Sequence, residues 1–129
     1  MVIAGGADEM YQITYTGFKS LLINDDSPCK PFDVNRKGLN LGEGAAIFLL
    51  VSEEILKETK RDPRGYILGY GSATDAFHHT NTRPDGKGLK LAIKEALETS
   101  GTIPSKIAFI NAHGTGTLIN DKVETLAMR

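Results

Sequence analysis

Short continuous apolar runs alternate along this chain with stretches whose apolar positions recur at helical spacing. Met1-Val2-Ile3-Ala4 is such a run, and it breaks at Gly5-Gly6-Ala7-Asp8-Glu9. It predicts a buried strand, then a turn and a helix entrance. Ile13, Phe18, Leu21 and Leu22 mark the apolar side of a predicted helix over about 10–22, weakened by Gly17. Asn24 to Gly38 is aperiodic and reads as loop. Ala45 to Val51 is the longest apolar run, and its continuity suits a strand buried on both faces. Ser52 can cap the next helix, with Glu53 and Glu54 in its first turn, Lys57, Lys60 and Arg61 near its end, and Pro63 stopping it.

The second half repeats the alternation. Tyr66 to Ala73 is strand-like but interrupted by Gly69 and Gly71. Thr74 to Pro84 is a polar loop. Leu89, Ile93, Ala96 and Leu97 form a helical stripe over 85–100, and Gly101 stands where a C-cap glycine belongs. Ile107-Ala108-Phe109-Ile110 predicts another buried strand, and Asp121 to Glu124 has the D-x-x-E spacing of a capping box opening a last helix. Alternating strands and helices give an α/β class with a largely parallel sheet. An apolar strand at the first residue, and a last helix without a C-cap, read as a chain cut from something longer.

Composition narrows the functions. Lys plus Arg is 15 and Asp plus Glu is 16, a net charge of −1, against the basic balance of a nucleic-acid binder. The longest apolar run falls far short of the roughly 20 residues of a membrane helix, and no signal peptide is expected. The single cysteine, Cys29, leaves no internal disulfide framework and points to the reducing cytoplasm. Glycine is enriched, 14 of 129 residues, above the usual share of about 7%.

The sharpest chemistry is His113 in His-Gly-Thr-Gly-Thr, just past an apolar strand. Ligands of open α/β sheets sit beyond the carboxyl ends of strands. A histidine, with its ordinary pKa of about 6.5, can be neutral there and donate to an oxygen that gains charge in a reaction. Gly114 and Gly116 permit close backbone approach, and Thr115 and Thr117 alternate so that their hydroxyls can share a side. Gly42-Glu43-Gly44 precedes a strand, so it is not a dinucleotide loop; it predicts a tight turn with a partly buried Glu43, paired to Arg36. His78, His79 and Asp75 lack metal-ligand spacing, so no metal is expected. Cys29 lies in a loop and reads as incidental.

These motifs together resemble the β-ketoacyl–acyl-carrier-protein synthases, the condensing enzymes of fatty acid and polyketide synthesis. The resemblance rests on Ala4-Gly5-Gly6-Ala7-Asp8-Glu9, Pro31-Phe32-Asp33 with Arg36 and Gly38, Leu41-Gly42-Glu43-Gly44-Ala45, Asp75-Ala76-Phe77-His78, and Asn111 to Thr117 followed by Asp121 and Glu124. It covers nearly the whole chain, in the family's order and spacing. Leu39-Asn40-Leu41 departs from a stretch that is often more uniformly apolar in the family.

The resemblance implies a thiolase-like fold, two α/β halves in an α-β-α-β-α sandwich. Residues 1–80 would end the first half and 81–129 open the second. It implies that His113 is the first active-site histidine and that Thr115 and Thr117 contact a phosphopantetheine arm, with Thr80 near it. Glu124, Glu43, Arg36 and Gly114 would be structural. The nucleophilic cysteine would lie upstream and a lysine and second histidine downstream, so the 129 residues alone are expected to be inactive. The partners implied are an acyl carrier protein and a second subunit in a homodimer. No redox cofactor is implied, because the pantetheine arrives on the carrier. Two other readings stand beside it: a non-catalytic partner subunit that shapes chain length, and an unrelated α/β module binding a phosphorylated ligand.

Overall fold

The strand pair follows from two apolar runs whose intervening chain returns to its own starting end. The computed structural model describes residues 1–129. Strand β1, Val2–Asp8, pairs with β2, Gly44–Leu50, from Val2 opposite Leu50 to Asp8 opposite Gly44. The pair is antiparallel, which corrects the parallel expectation for these strands. The second strand begins where the first stops, and the Met10 N–H donates to the Glu43 carboxylate across that end at 3.2 Å; a parallel partner would need a crossover to the far end. β1 also runs straight through Gly5 and Gly6, where a turn was predicted.

The chain divides into two compact units. The first comprises Met1–Leu21 and Leu41–Tyr66. Besides the strand pair it holds α1, Gln12–Ser20, and α2, Glu53–Thr59. The helix α2 starts after Ser52, as predicted, although the serine hydroxyl makes no cap bond; its carbonyl accepts the Leu56 N–H at 3.0 Å. Lys60, in a left-handed conformation, ends it. Neither strand is buried: Ile47 is 77% exposed. The buried-strand expectation fails because the apolar residues on both faces of this ribbon meet no covering element.

The second unit comprises Leu22–Asn40 and Ile67–Arg129. Its long helix α3 is Lys87–Ser100. Leu89, Ile93, Ala96 and Leu97 are its half-buried stripe, while Lys90, Lys94 and Glu98 face solvent. Gly101 closes it in a left-handed conformation, its N–H on the Glu98 carbonyl and that of Thr102 on Leu97, as the C-cap reading requires.

Tyr66–Ala73, expected as a strand, has no strand partner; 67–72 lies along α3 instead. Tyr70 donates its N–H to the Thr99 hydroxyl at 3.1 Å, that hydroxyl reaches back to the Tyr70 carbonyl at 2.9 Å, and the Ser72 N–H donates to Glu95 at 2.9 Å. Gly69 and Gly71 make this approach possible. A Cβ on Gly69 would meet Ser100 and Ala96 backbone, and one on Gly71 would meet the Ala92 carbonyl. The two glycines fall on one side of the segment, one helical turn apart on α3.

Residues 107–110 likewise have no strand partner, and Phe109 is 82% exposed. The last helix, α4, is Leu118–Met128 and packs on α3. It carries the chain's one fully buried apolar side chain, Val123, flanked by two buried carboxylates, Asp121 and Glu124. No helix is long and apolar enough to cross a membrane.

Candidate active site

The site is built where residues 111–117 run into α4. That helix opens four residues earlier than the capping-box reading predicts, with Thr117 rather than Asp121 at its N-cap. Asp121 and Glu124 therefore stand inside the helix. Side chains on a helix lean towards its N-terminus, and residues three apart share a face. Both carboxylates reach back past the helix start and take up the N–H groups of the incoming loop.

Glu124 accepts the His113 N–H through Oε1 at 2.7 Å and the Gly114 N–H through Oε2 at 2.8 Å; Asn120 Nδ2 adds a third donor at 3.0 Å. Asp121 Oδ1 accepts the Gly116 N–H at 3.1 Å, and Oδ2 accepts the Phe32 N–H at 2.7 Å. The positive end of the helix dipole favours both charges. The correction is one of role: a D-x-x-E pattern serves here as a two-point clamp on the His113–Gly116 backbone.

The clamp shapes the loop. Gly114 and Gly116 have φ of +57° and +74°, conformations that favour glycine. A Cβ on Gly116 would lie 2.5 Å from both Cys29 Sγ and the Gly38 carbonyl. The Thr115 and Thr117 hydroxyls are 2.9 Å apart, on one side as their alternation predicts. The His113 ring is exposed and makes no hydrogen bond within the chain, so its orientation comes from its backbone.

Arg36 finds its partners within its own compact unit. Its Nε donates to the Thr117 carbonyl at 3.2 Å, Nη2 to Leu118 at 2.9 Å and Nη1 to Asp33 at 2.9 Å, and Nε lies 3.6 Å from Asp121. Glu43 belongs to the other compact unit and is exposed, where a partly buried position was expected. The fixed fork of the guanidinium finds several acceptors at the start of α4, whereas the Glu43 carboxylate accepts the Met10 N–H.

Cys29 is half-buried, its Sγ 3.4 Å from the Thr115 carbonyl it donates to. Its own N–H donates to Asn40 Oδ1 at 2.6 Å, and Asn40 Nδ2 donates to the Asp25 and Ser27 carbonyls. The Leu39-Asn40-Leu41 departure is thus a polar brace for the loop that seats Cys29 under Gly116. Sequence reasoning set Cys29 aside as incidental and marked Asn40 only as part of that departure; the bond between them shows only in the fold.

Thr80 is exposed, and its N–H donates to His78 Nδ1 at 3.1 Å. His78 and His79 lie edge to face with ring centres 6.2 Å apart. Asp75 accepts from the Arg83 N–H at 2.8 Å, the Thr82 hydroxyl at 2.8 Å and the Gly88 N–H at 3.2 Å. The Arg83 N–H first, then the Thr82 hydroxyl, hold its carboxyl below the ordinary value of 3.8. No three His, Cys, Asp or Glu side chains converge as a metal site would require.

Known proteins resemble this chain in sequence and in fold. The N-terminal domain of β-ketoacyl synthases matches residues 1–55, and the C-terminal domain matches 64–129. The chain is 38% identical to the 3-oxoacyl-[acyl-carrier-protein] synthase 2 of Synechocystis sp., over 100% of this chain and 32% of that protein. It superposes on the ishigamide ketosynthase/chain length factor with a TM-score of 0.90 at 36% identity, covering 97% of this chain and 30% of the other. It also superposes on a ketosynthase bound to a hexaketide in complex with its type II polyketide acyl-carrier protein, with a TM-score of 0.84 at 27% identity, over 97% of this chain and 33% of that one. The chain thus spans about a third of the length of the proteins it matches.

Proposed function

The chain belongs to the β-ketoacyl synthase family, and on that premise we propose that it supplies the first histidine and the pantetheine-contacting threonines of a decarboxylative Claisen condensation. A malonyl thioester on a carrier protein loses carbon dioxide as its carbon–carboxylate bond breaks. The electron pair moves into the thioester, whose oxygen gains negative charge. His113 donates to that oxygen, and a donor held in place before charge develops is the most effective kind. The carbanion then attacks the carbonyl of an acyl group carried on a cysteine, and the thiolate leaves. Cys29 is not that cysteine: its sulfur sits half-buried beneath the loop. Thr115 and Thr117 hold the pantetheine arm, with Thr80 near its path.

One observation carries this reading. An exposed, unpartnered imidazole and a pair of hydroxyls 2.9 Å apart stand on a single loop whose amides are held by buried carboxylates. The acyl carrier protein is the proposed partner, in a cytoplasmic homodimer needing no redox cofactor, and the chain joins the end of one α/β half to the start of the next. The test is His113→Ala in the intact protein that carries these residues. Malonyl decarboxylation falls by about a hundredfold or more, while acyl transfer to the cysteine persists. Undiminished decarboxylation overturns the proposal.

The similarity to a ketosynthase/chain length factor structure supports a second reading, a non-catalytic partner subunit. Thiol alkylation separates the two: a synthase loses its activity on labelling of its nucleophile, and a partner subunit has no such cysteine to label.

A further inference from the structure

Asp121 is 1% exposed, the most deeply buried carboxylate of the chain, and its single cationic neighbour is Arg36. Burying a charge is costly unless it is paired and fully hydrogen-bonded. Asp121 meets that condition by joining two segments far apart in sequence: it accepts Gly116 N–H from the loop and Phe32 N–H from the segment Pro31–Arg36. Phe32 has φ of +64°, a left-handed conformation that a bulky residue keeps only when its surroundings impose it. Gly114 packs on that segment too, with Pro31 and Phe32 carbons 3.4 Å from where its Cβ would be.

Arg36 completes the junction. Its planar fork spans the Thr117 and Leu118 carbonyls while Nε stands beside Asp121. A lysine ammonium cannot hold that spread of acceptors in one plane. Glu124, by contrast, holds His113 and Gly114 and is not among the partners of Arg36; the side chain the two carboxylates share is Asn120, whose Nδ2 donates to Glu124 at 3.0 Å and to Asp121 at 3.3 Å.

We propose that Arg36 is a positioning residue. Acting through Asp121 and the Thr117 and Leu118 carbonyls, it sets where the Thr115 and Thr117 hydroxyls stand, separately from the grip of Glu124 on His113. The loop then has two supports. One serves the histidine and the other serves the threonine pair, so the contact with the ligand arm can be altered without moving the imidazole. The consequence for turnover rests on the function proposed above; the division of the loop into two supports does not.

The test is Arg36→Met, which keeps the aliphatic stem and removes charge and donors, in the intact protein carrying residues 1–129. Amide exchange at Gly116 and Phe32 speeds up by at least about tenfold, while His113 and Gly114 stay within about twofold of wild type. In the same variant KM for the pantetheine thioester rises, with kcat changed less. Arg36→Lys keeps the charge and shows the same pattern more weakly, and it decides the matter if the methionine variant does not fold. Uniform acceleration across 113–117 and α4 makes Arg36 a general stabiliser and overturns the inference. Unaltered exchange at Gly116, or altered exchange with unaltered KM, overturns it as well. If the unmodified protein catalyses no condensation, the proposed function falls, and the selectivity of exchange still decides the role of Arg36.

Discussion

The single residue that best exposes the physics of this site is Glu124, because both of its oxygens face donors. Glu124→Gln preserves shape and size but puts an NH2 group where an acceptor stood, opposite the His113 or Gly114 N–H. A buried charge-assisted bond is replaced by two donors facing each other, at a cost of about 1.5–3 kcal/mol. Chemical denaturation of the intact protein measures it, and an isosteric loss below that range contradicts the clamp. Gly116→Ala is a second test. Both the φ of +74° and the two neighbours at 2.5 Å oppose a methyl there, so a loss of about 2 kcal/mol or more is expected. Adding Cys29→Ala does not restore stability, because the Gly38 carbonyl stays as close as the sulfur was. His113, Thr115 and Thr117 were legible from residue types and alternation alone. The partners of Arg36 at the start of α4 were not, because the Thr117 and Leu118 carbonyls lie 81 and 82 positions away.

The helix α3 shows how one element can have one end written locally and the other drawn in part from elsewhere. Its C-terminus is written locally, in Gly101 and the end of the apolar stripe. Its N-terminus is only partly so: the Lys87 amide donates to Asp85, two residues before it, but the Gly88 amide donates to Asp75, 13 residues away. Asp75 thus ties the 75–88 loop to the helix start. Its folded pKa lies below the ordinary 3.8, chiefly through the Arg83 N–H. A depressed carboxyl contributes stability above its unfolded pKa and loses that contribution as pH falls through the folded value. The loop therefore loosens only below about pH 4, and Asp75→Asn reduces the pH dependence there, the remainder coming from Asp85, whose carboxyl the Lys87 N–H and then the Arg83 side chain also hold below its ordinary value. Amide exchange at Arg83 and Gly88 across an acid titration measures this; loosening that begins near neutrality contradicts it. Gly71→Ala tests the same element from the other side. Its methyl would meet the Ala92 carbonyl, so 67–72 lifts from α3 and the Thr99–Tyr70 pair of bonds breaks, while α3 itself keeps its helicity by circular dichroism.

At the scale of the whole chain, what is missing is apolar burial. Val123 is the one fully buried apolar side chain, and Ile3, Ile47, Phe48, Ile67 and Phe109 stand more than half exposed. Apolar surface of this extent needs a covering partner. The 129 residues taken alone are expected to bind a hydrophobic dye strongly and to melt over a broad range; a sharp two-state transition of a monomer contradicts this. The amino-acid sequence by itself determined the α/β class, the approximate positions of the helices, the Gly101 stop of α3, and the His113–Thr117 loop with its paired hydroxyls. Those features depend on neighbours within a few residues, through backbone freedom, side-chain alternation and helical period. Only the tertiary structure decided that the strands pair antiparallel, that Gly69 and Gly71 serve a helix contact, and that Asp121 and Glu124 grip a loop. A carboxylate pair three residues apart has one local geometry whether it caps its own helix or clamps a distant backbone. What separates the two is which chain arrives in front of it, and Phe32, 89 residues from Asp121, is brought there by the fold alone.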